Sequence, residues 1–272
     1  MKLSLSAIST VNASFAADVE TYANAGFGAI GLWEMKLPAD DAANVELLRA
    51  HGLEVSNCVP TVPSFLPLAI PGMEGPSDPA ERVEAICASI RRLAAYDPEC
   101  VLCLSGPLGA RSEAEGRAMV SDGLRRAAAA ARDAGVRLGF EPIHPAQRET
   151  AGFVTSLEDA LALLDEAGLD DVGIMADTFN LGHEATDDVV AARGRFTGLH
   201  VADELPEPQP GGRALPDQGG RSAELVAALR KTGWDGTLDV EIFSTPDAFW
   251  ALPVNEAARR AFAAAAALAD RV

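Results

Sequence analysis

Strand-like and helix-like segments alternate along the whole chain, and this alternation constrains the fold more than any other feature. Eight apolar, β-rich runs predict strands at 3–8, 27–33, 53–59, 99–105, 136–141, 171–177, 196–201 and 236–243. Longer Ala/Leu/Arg/Glu-rich stretches predict helices at 14–25, 40–51, 79–96, 112–134, 156–167, 184–193, 221–232 and 254–271. Eight successive strand–helix units indicate a closed barrel of parallel strands surrounded by helices.

Chain length and turn residues support one barrel rather than an open sheet. Several predicted helices are followed directly by a glycine, which commonly ends a helix, at Gly26, Gly52, Gly135, Gly168 and Gly233. The 272 residues suit one barrel of roughly 250 residues. A doubly wound sheet would usually carry a glycine-rich turn after its first strand, but 6–12 contains no glycine. We therefore predict a single α/β domain, a (β/α)8 TIM barrel spanning 1–272.

The charge balance excludes several classes of partner. Lys and Arg total 22 against 40 Asp and Glu, which gives a net charge of −18. Such a surface repels nucleic acid and anionic membranes, and no run of eighteen apolar residues predicts a membrane span. We expect a cytoplasmic protein that binds a small molecule. The sequence leaves open whether copies of the chain form a homo-oligomer.

The four cysteines do not indicate a disulfide framework or a thiolate metal site. Cys100 and Cys103 have CxxC spacing, but they lie in a predicted strand, where positions i and i+3 face opposite sides. We expect both, like Cys58 and Cys87, to be small buried apolar side chains.

Polar side chains end four consecutive predicted strands, namely Glu141, Asp177, His200 and Glu241. The carboxyl ends of barrel strands form the catalytic face of this fold. Three carboxylates there would repel one another unless a cation neutralised them. Oxygen and imidazole donors suit one divalent ion, for which we expect Mn²⁺ ahead of Mg²⁺, Co²⁺ or Zn²⁺. The alternative is that each residue caps its strand or pairs with a nearby arginine.

Four strings in the second half of the chain resemble one known family. GFEPIHP, MADTFNLGH, GLHVAD and GWDGTLDVEIFS are similar to the motifs of the xylose isomerase-like TIM barrels, among them sugar isomerases and epimerases. The resemblance implies that one divalent metal is bound by the four strand-end residues. It also implies that Arg213, which precedes a Pro-Asp-Gln-Gly turn, contacts substrate.

The chain departs from the family pattern near the expected substrate. Asn180 stands where many relatives carry a histidine, and Asp217 replaces the first glycine of the turn. Gln147 stands where ketose epimerases carry a glutamate. We expect His144 and Asn180, together with Arg213, to bind substrate.

These features predict a metal-dependent isomerase or epimerase that acts on a sugar or another α-hydroxy carbonyl compound. The reaction would pass through a metal-stabilised enediolate. Glu141 and Glu241 would remove and return the proton. One alternative is a dehydratase of an inosose-like cyclic keto-polyol, which begins with the same proton abstraction. Another is a barrel subunit without catalytic activity.

Several roles remain open at this stage. Glu34, at the end of the second predicted strand, is either a second acid/base or a salt-bridge partner of Lys36. Asp203 is either an orienting partner of His200 or a loop charge. The Pro- and Gly-rich stretches 60–78 and 202–220 follow strands and are predicted to cover the catalytic face.

Overall fold

The predicted closed barrel is present in the computed structural model, which describes residues 1–205, 212–216 and 218–272. Its parallel strands are β1 Leu3–Ser6, β2 Ala29–Trp33, β3 Glu54–Val59, β4 Cys100–Leu104, β5 Leu138–Glu141, β6 Gly173–Asp177, β7 Phe196–Val201 and β10 Leu238–Val240. Neighbours in this order pair with each other, and β10 pairs with β1 to close the barrel. Two short strands, β8 Asp203–Glu204 and β9 Arg213–Ala214, form an antiparallel ribbon outside it.

The described residues include the eight predicted helices. They are α1 Phe15–Ala25, α2 Asp41–Ala50, α3 Pro79–Leu93, α4 Glu113–Ala134, α5 Leu157–Ala167, α6 Thr186–Ala191, α7 Ser222–Lys231 and α8 Val254–Arg271. Side-chain oxygens of Ser14, Asp40 and Ser112 accept hydrogen bonds from the first turns of α1, α2 and α4. Among these helices none is long and apolar enough to cross a membrane.

The interior of the barrel is divided between apolar and polar side chains. Cys100, Leu102 and Met175, from β4 and β6, belong to an apolar cluster that is separate from the larger core under the helices. Asn57 of β3 donates a 2.7 Å hydrogen bond to Asp239 of β10. Because β3 and β10 are not neighbours in the sheet, these side chains meet across the interior. The barrel interior therefore contains a buried polar contact as well as the apolar cluster.

The cysteines behave as predicted. All four are unpaired and buried. The thiol of Cys100 lies 3.7 Å from the sulfur of Met175, whereas that of Cys103 lies 3.5 Å from the carbonyl oxygen of Gly139. The two thiols of the CxxC spacing thus have different neighbours.

The stretch 60–78 follows β3 and is bound to the next strand rather than free in solvent. The backbone amides of Phe65 and Leu66 donate to the carbonyls of Leu104 and Ser105, at 3.1 and 2.9 Å. The stretch therefore lies beside the carboxyl end of β4, and its covering of the barrel face stays a prediction. The second predicted cover, 202–220, contains 206–211 and Asp217, which lie outside the described residues.

Candidate metal and active site

Three of the four strand-end residues converge on one point at the carboxyl end of the barrel. Glu141, Asp177 and His200 each offer one donor atom, and these atoms lie within 4.8 Å of one another. All three side chains are buried. Their strands β5, β6 and β7 are adjacent, and Asp177 pairs in register with His200. Strand order therefore brings the three predicted ligands together.

Glu241 completes the group, and Arg213 lies against it. Glu241 follows β10, and its Oε2 lies 3.2 Å from His200 Nδ1. Nη1 of Arg213 lies 2.6 Å from that oxygen and 2.8 Å from Oδ2 of Asp177. The guanidinium carbon is 4.9 Å from the ring centroids of both Phe179 and Phe243. Arg213, the predicted substrate contact, is therefore a buried, positively charged side chain between two predicted metal ligands.

The donor atoms fit a divalent cation. Among the described residues, Asp177 Oδ2 and His200 Nδ1 are buried without a hydrogen-bond partner of good geometry. The charged neighbours of these atoms are Arg213, 2.8 Å from the Asp177 oxygen, and Glu241, 3.2 Å from the His200 nitrogen, so a cation bound to both atoms would break no hydrogen bond. Carboxylate oxygens and one imidazole nitrogen are ligands that Mn²⁺, Zn²⁺ and related ions accept.

The electrostatics of the cluster follow from its burial. Burial raises the pKa of Glu141 to about 7, although nearby His200 opposes the shift. Burial likewise raises the pKa of Asp177 against the lowering effect of Arg213. For His200, burial lowers the pKa, but the surrounding carboxylates, Glu241 first, outweigh it and raise the pKa well above its ordinary value. The cluster therefore retains protons at neutral pH while no metal is bound.

Each carboxylate of the cluster has a supporting hydrogen bond. Nδ2 of Asn180 donates to Oε1 of Glu141 at 3.0 Å. The backbone amide of Phe179 donates to Oδ1 of Asp177 at 2.8 Å. Asn180, predicted to bind substrate, is 1% exposed and holds Glu141 in this structure.

His144 lies at the rim, three residues after Glu141. Its backbone amide donates to Oδ1 of Asn180 at 3.1 Å, and its ring centroid is 5.1 Å from that of Phe179. Its Nε2 lies 3.5 Å from Oε1 of Glu204. The side chain is thus next to the buried cluster and partly open to solvent, as a substrate contact requires.

Of the two roles that the sequence left open for Glu34, the structure contradicts the salt bridge with Lys36. Lys36 does not pair with Glu34, because its ammonium lies 2.5 Å from Asp18. Glu34 instead accepts hydrogen bonds from Ser89 Oγ at 2.6 Å and from Arg92 at 3.4 Å, so its carboxylate is bound to α3.

Asp203 does not orient His200. Its oxygens accept hydrogen bonds from the backbone amides of Gln218, Gly220 and Ser222, at 3.0, 3.2 and 3.0 Å. The sequence could not reveal these partners of Asp203, because every residue except proline has a backbone amide and no residue type marks the ones that bind.

The partners of Nε2 of His200 are residues that the sequence analysis did not single out. Nε2 lies 3.4 Å from Oδ2 of Asp239 and 3.3 Å from Oδ1 of Asn57. One signal could have revealed Asp239, since it is two residues before Glu241 and therefore on the same face of the strand. Nothing in the local sequence marks Asn57, which lies in β3.

A parallel eight-stranded barrel with a buried carboxylate–histidine cluster at its carboxyl face defines a class of TIM barrel with a candidate metal centre. Residues 19–268 match the family described as the xylose isomerase-like TIM barrel. The chain belongs to this family. The sequence itself matches no curated protein.

Solved structures show the same fold at low sequence identity. A protein from Sinorhizobium meliloti 1021 has a TM-score of 0.85 at 22% identity, covering 98% of both chains. The IOLI protein with a bound zinc atom has a TM-score of 0.83 at 18% identity, covering 100% of this chain and 99% of that one. D-psicose 3-epimerase with D-fructose has a TM-score of 0.79 at 18% identity, with the same coverage.

Proposed function

We propose that the chain is a divalent-metal-dependent isomerase or epimerase of a sugar or another α-hydroxy carbonyl compound. The observation that carries this proposal is the convergence of Glu141, Asp177 and His200 within 4.8 Å, with Glu241 beside them. Membership of the xylose isomerase-like family supports it, and among the structural neighbours one holds zinc and another is a sugar epimerase.

The residues divide into metal ligands and groups that handle the substrate. Glu141, Asp177, His200 and Glu241 would hold the ion. When bound, a divalent cation polarises a carbonyl and stabilises the negative charge that develops on the substrate oxygens. His144 and Arg213 contact the substrate hydroxyl and carbonyl oxygens, and Asn180 keeps Glu141 in place.

The two glutamates move the proton. One carboxylate takes the proton from the carbon between the carbonyl and the hydroxyl group, and the electron pair of that C–H bond passes to the carbonyl oxygen. In an epimerase the other carboxylic acid returns a proton to the same carbon. In an isomerase it protonates the neighbouring carbon, and the proton of the hydroxyl group passes to the former carbonyl oxygen, so that the carbonyl group moves to the first carbon.

The test measures proton exchange and products together. Wild-type protein loaded with Mn²⁺ is incubated in D₂O with a panel of keto-sugars and inososes, and the Mn²⁺ is removed before NMR spectra are recorded. We expect deuterium to replace the hydrogen on the carbon between the carbonyl and the hydroxyl group. Loss of a β-hydroxyl would instead assign the dehydratase alternative, and no exchange with any substrate would favour a barrel without this catalytic activity.

Substitution of the glutamates is the sharper test of their role. Glu141→Gln or Glu241→Gln keeps an oxygen ligand but removes the basic carboxylate. We expect partial retention of metal and a loss of activity of about 10²-fold or more, the scale of general acid–base catalysis. Glu158→Gln, an exposed change on α5, is the matched control. A Glu141→Gln protein that exchanges the substrate proton at the wild-type rate would exclude Glu141 as the base.

A further inference from the structure

His200 is held at Nε2 by two buried side chains that the proposed reaction does not use. Asp239 Oδ2 lies 3.4 Å from this nitrogen and Asn57 Oδ1 lies 3.3 Å from it. Nδ2 of Asn57 also donates to Oδ2 of Asp239 at 2.7 Å. All three side chains are at most 1% exposed. They form a closed set of contacts beneath the cluster.

The backbone makes room for this arrangement. A Cβ atom built on Gly31 of β2 would lie 2.2 Å from Oδ2 of Asp239. Real Cβ atoms do not approach an oxygen so closely, so any larger residue at this position would displace the carboxylate. Gly31 is also in register with Asn57. Residues of β2, β3 and β7 therefore contribute to the position of the Asp239 carboxylate.

The contacts decide which nitrogen of His200 carries a proton. Both neighbours of Nε2 present oxygen acceptors, so Nε2 must be the donor. Nδ1 is on the other side of the ring, 3.2 Å from Glu241 and 3.8 Å from Glu141. In a neutral imidazole the nitrogen without the proton is the one that can bind a metal.

We propose that Asp239 and Asn57 are positioning residues that keep the proton of His200 on Nε2 and present Nδ1 to the metal. The inference rests on the metal-binding part of the proposed function. A carboxylate bound to the far nitrogen of a ligand histidine fixes the ring and raises its basicity. Asp239 is a fully buried carboxyl group, and this role explains why the barrel interior contains it.

The test compares Zn²⁺ binding and histidine NMR spectra of the wild-type protein and Asp239→Asn. The substitution keeps the size of the side chain but removes its charge. Titration calorimetry with Zn²⁺ alone gives the Kd, for which we expect at least a tenfold increase in the variant, in the range known for such partners. Ser4→Ala is the matched control, since Ser4 is buried in the same layer and its hydroxyl contacts Ser56 at 2.9 Å.

The NMR arm needs no variant that might fail to fold. The chain has four histidines, so ¹⁵N-histidine labelling gives a spectrum that can be assigned. In the Zn²⁺-loaded wild-type protein we expect His200 to be metal-bound at Nδ1 and protonated at Nε2. The opposite assignment would overturn the inference.

The outcomes separate this inference from the proposed function. Wild-type protein that binds Zn²⁺ while Asp239→Asn has a Kd within twofold of it removes the role of Asp239 and leaves the metal centre. Wild-type protein that binds no Zn²⁺ or Mn²⁺ removes the metal centre and this role with it.

Discussion

Arg213 places a fixed positive charge among carboxylates that are predicted to bind a metal. Nη1 lies within 2.8 Å of both Asp177 and Glu241, and the guanidinium is flanked by two aromatic rings. Burying several carboxylates without a counter-charge is costly. Arg213 therefore supplies part of the neutralisation that a bound cation would otherwise provide alone.

We expect Arg213→Gln to destabilise the EDTA-treated protein by about 3 kcal/mol, because removal of one partner leaves buried charges uncompensated. Saturating Mn²⁺ should recover most of this loss, since it neutralises the same carboxylates. Thermal melts with and without Mn²⁺ measure both effects. Arg125→Gln, an exposed change on α4, serves as the control, and an equal deficit with and without Mn²⁺ would contradict the explanation.

The ligands themselves could be predicted from sequence, but their supporting residues could not. Glu141, Asp177, His200 and Glu241 each end or follow a strand, and the fold dictates where strand ends lie. Asn57 supports His200 from a strand far away in sequence, and only the closed barrel brings the two together. Lys36 pairs with Asp18 of α1 and Asp203 binds loop backbone, and local sequence determines neither contact.

At the scale of elements, an arginine of α3 links both halves of the stretch 60–78, in addition to the backbone bonds that this stretch makes to Leu104 and Ser105. The guanidinium of Arg82 donates to the backbone oxygen of Ser64 at 3.1 Å, to its hydroxyl at 2.8 Å, and to the carbonyl of Pro76 at 2.7 Å. Its side chain is fully buried. One residue thus links both halves of the loop to the helix that follows it.

We expect Arg82→Met to lower stability by roughly 3 kcal/mol, because the freed carbonyls lose charged donors. Hydrogen exchange of 60–78 should accelerate, while the amides of β5 to β7 stay protected. Exchange mass spectrometry measures both regions at once. Arg91→Met, exposed on the same helix, controls for loss of charge, and unchanged exchange in 60–78 would refute the anchoring role.

All the predicted strands and helices are present, and the predictions are wrong only in where some of them begin and end. The strand predicted at 236–243 is Leu238–Val240, and the helix predicted at 184–193 is Thr186–Ala191. Apolar periodicity extends beyond the last ladder hydrogen bond, so it overestimates length. The ribbon of β8 and β9 was not predicted, since strands of two residues have no periodicity.

At the scale of the whole molecule, the buried cluster makes stability depend on pH. The pKa values of Glu141, Asp177 and His200 are all raised, so the folded state binds more protons than the unfolded state. For the carboxyl groups, a destabilising contribution appears as the pH rises above their ordinary pKa, and for Glu141 it is complete above about 7. His200 contributes stability below its ordinary pKa that is lost as the pH rises through the raised value.

We therefore expect the melting temperature of EDTA-treated protein to fall between pH 5 and pH 8. Glu141→Gln should flatten this fall, since an amide does not titrate, whereas Glu158→Gln should leave it unchanged. Mn²⁺ should raise the melting temperature more at pH 8 than at pH 5, because metal binding requires deprotonated ligands. If the melting temperatures of the wild-type protein and of Glu141→Gln fall equally with pH, the raised pKa of Glu141 is contradicted.

The pairing of β1 with β10 has a consequence for biosynthesis. A chain emerging from the ribosome presents β1 first, and this strand has an unpaired edge until β10 has been made. Asp239 lies in β10 and Glu241 directly follows it. The strand that closes the barrel is thus also the one that positions Asp239 and Glu241. A chain whose translation stops before β10 has neither a closed barrel nor all the carboxylates of the site.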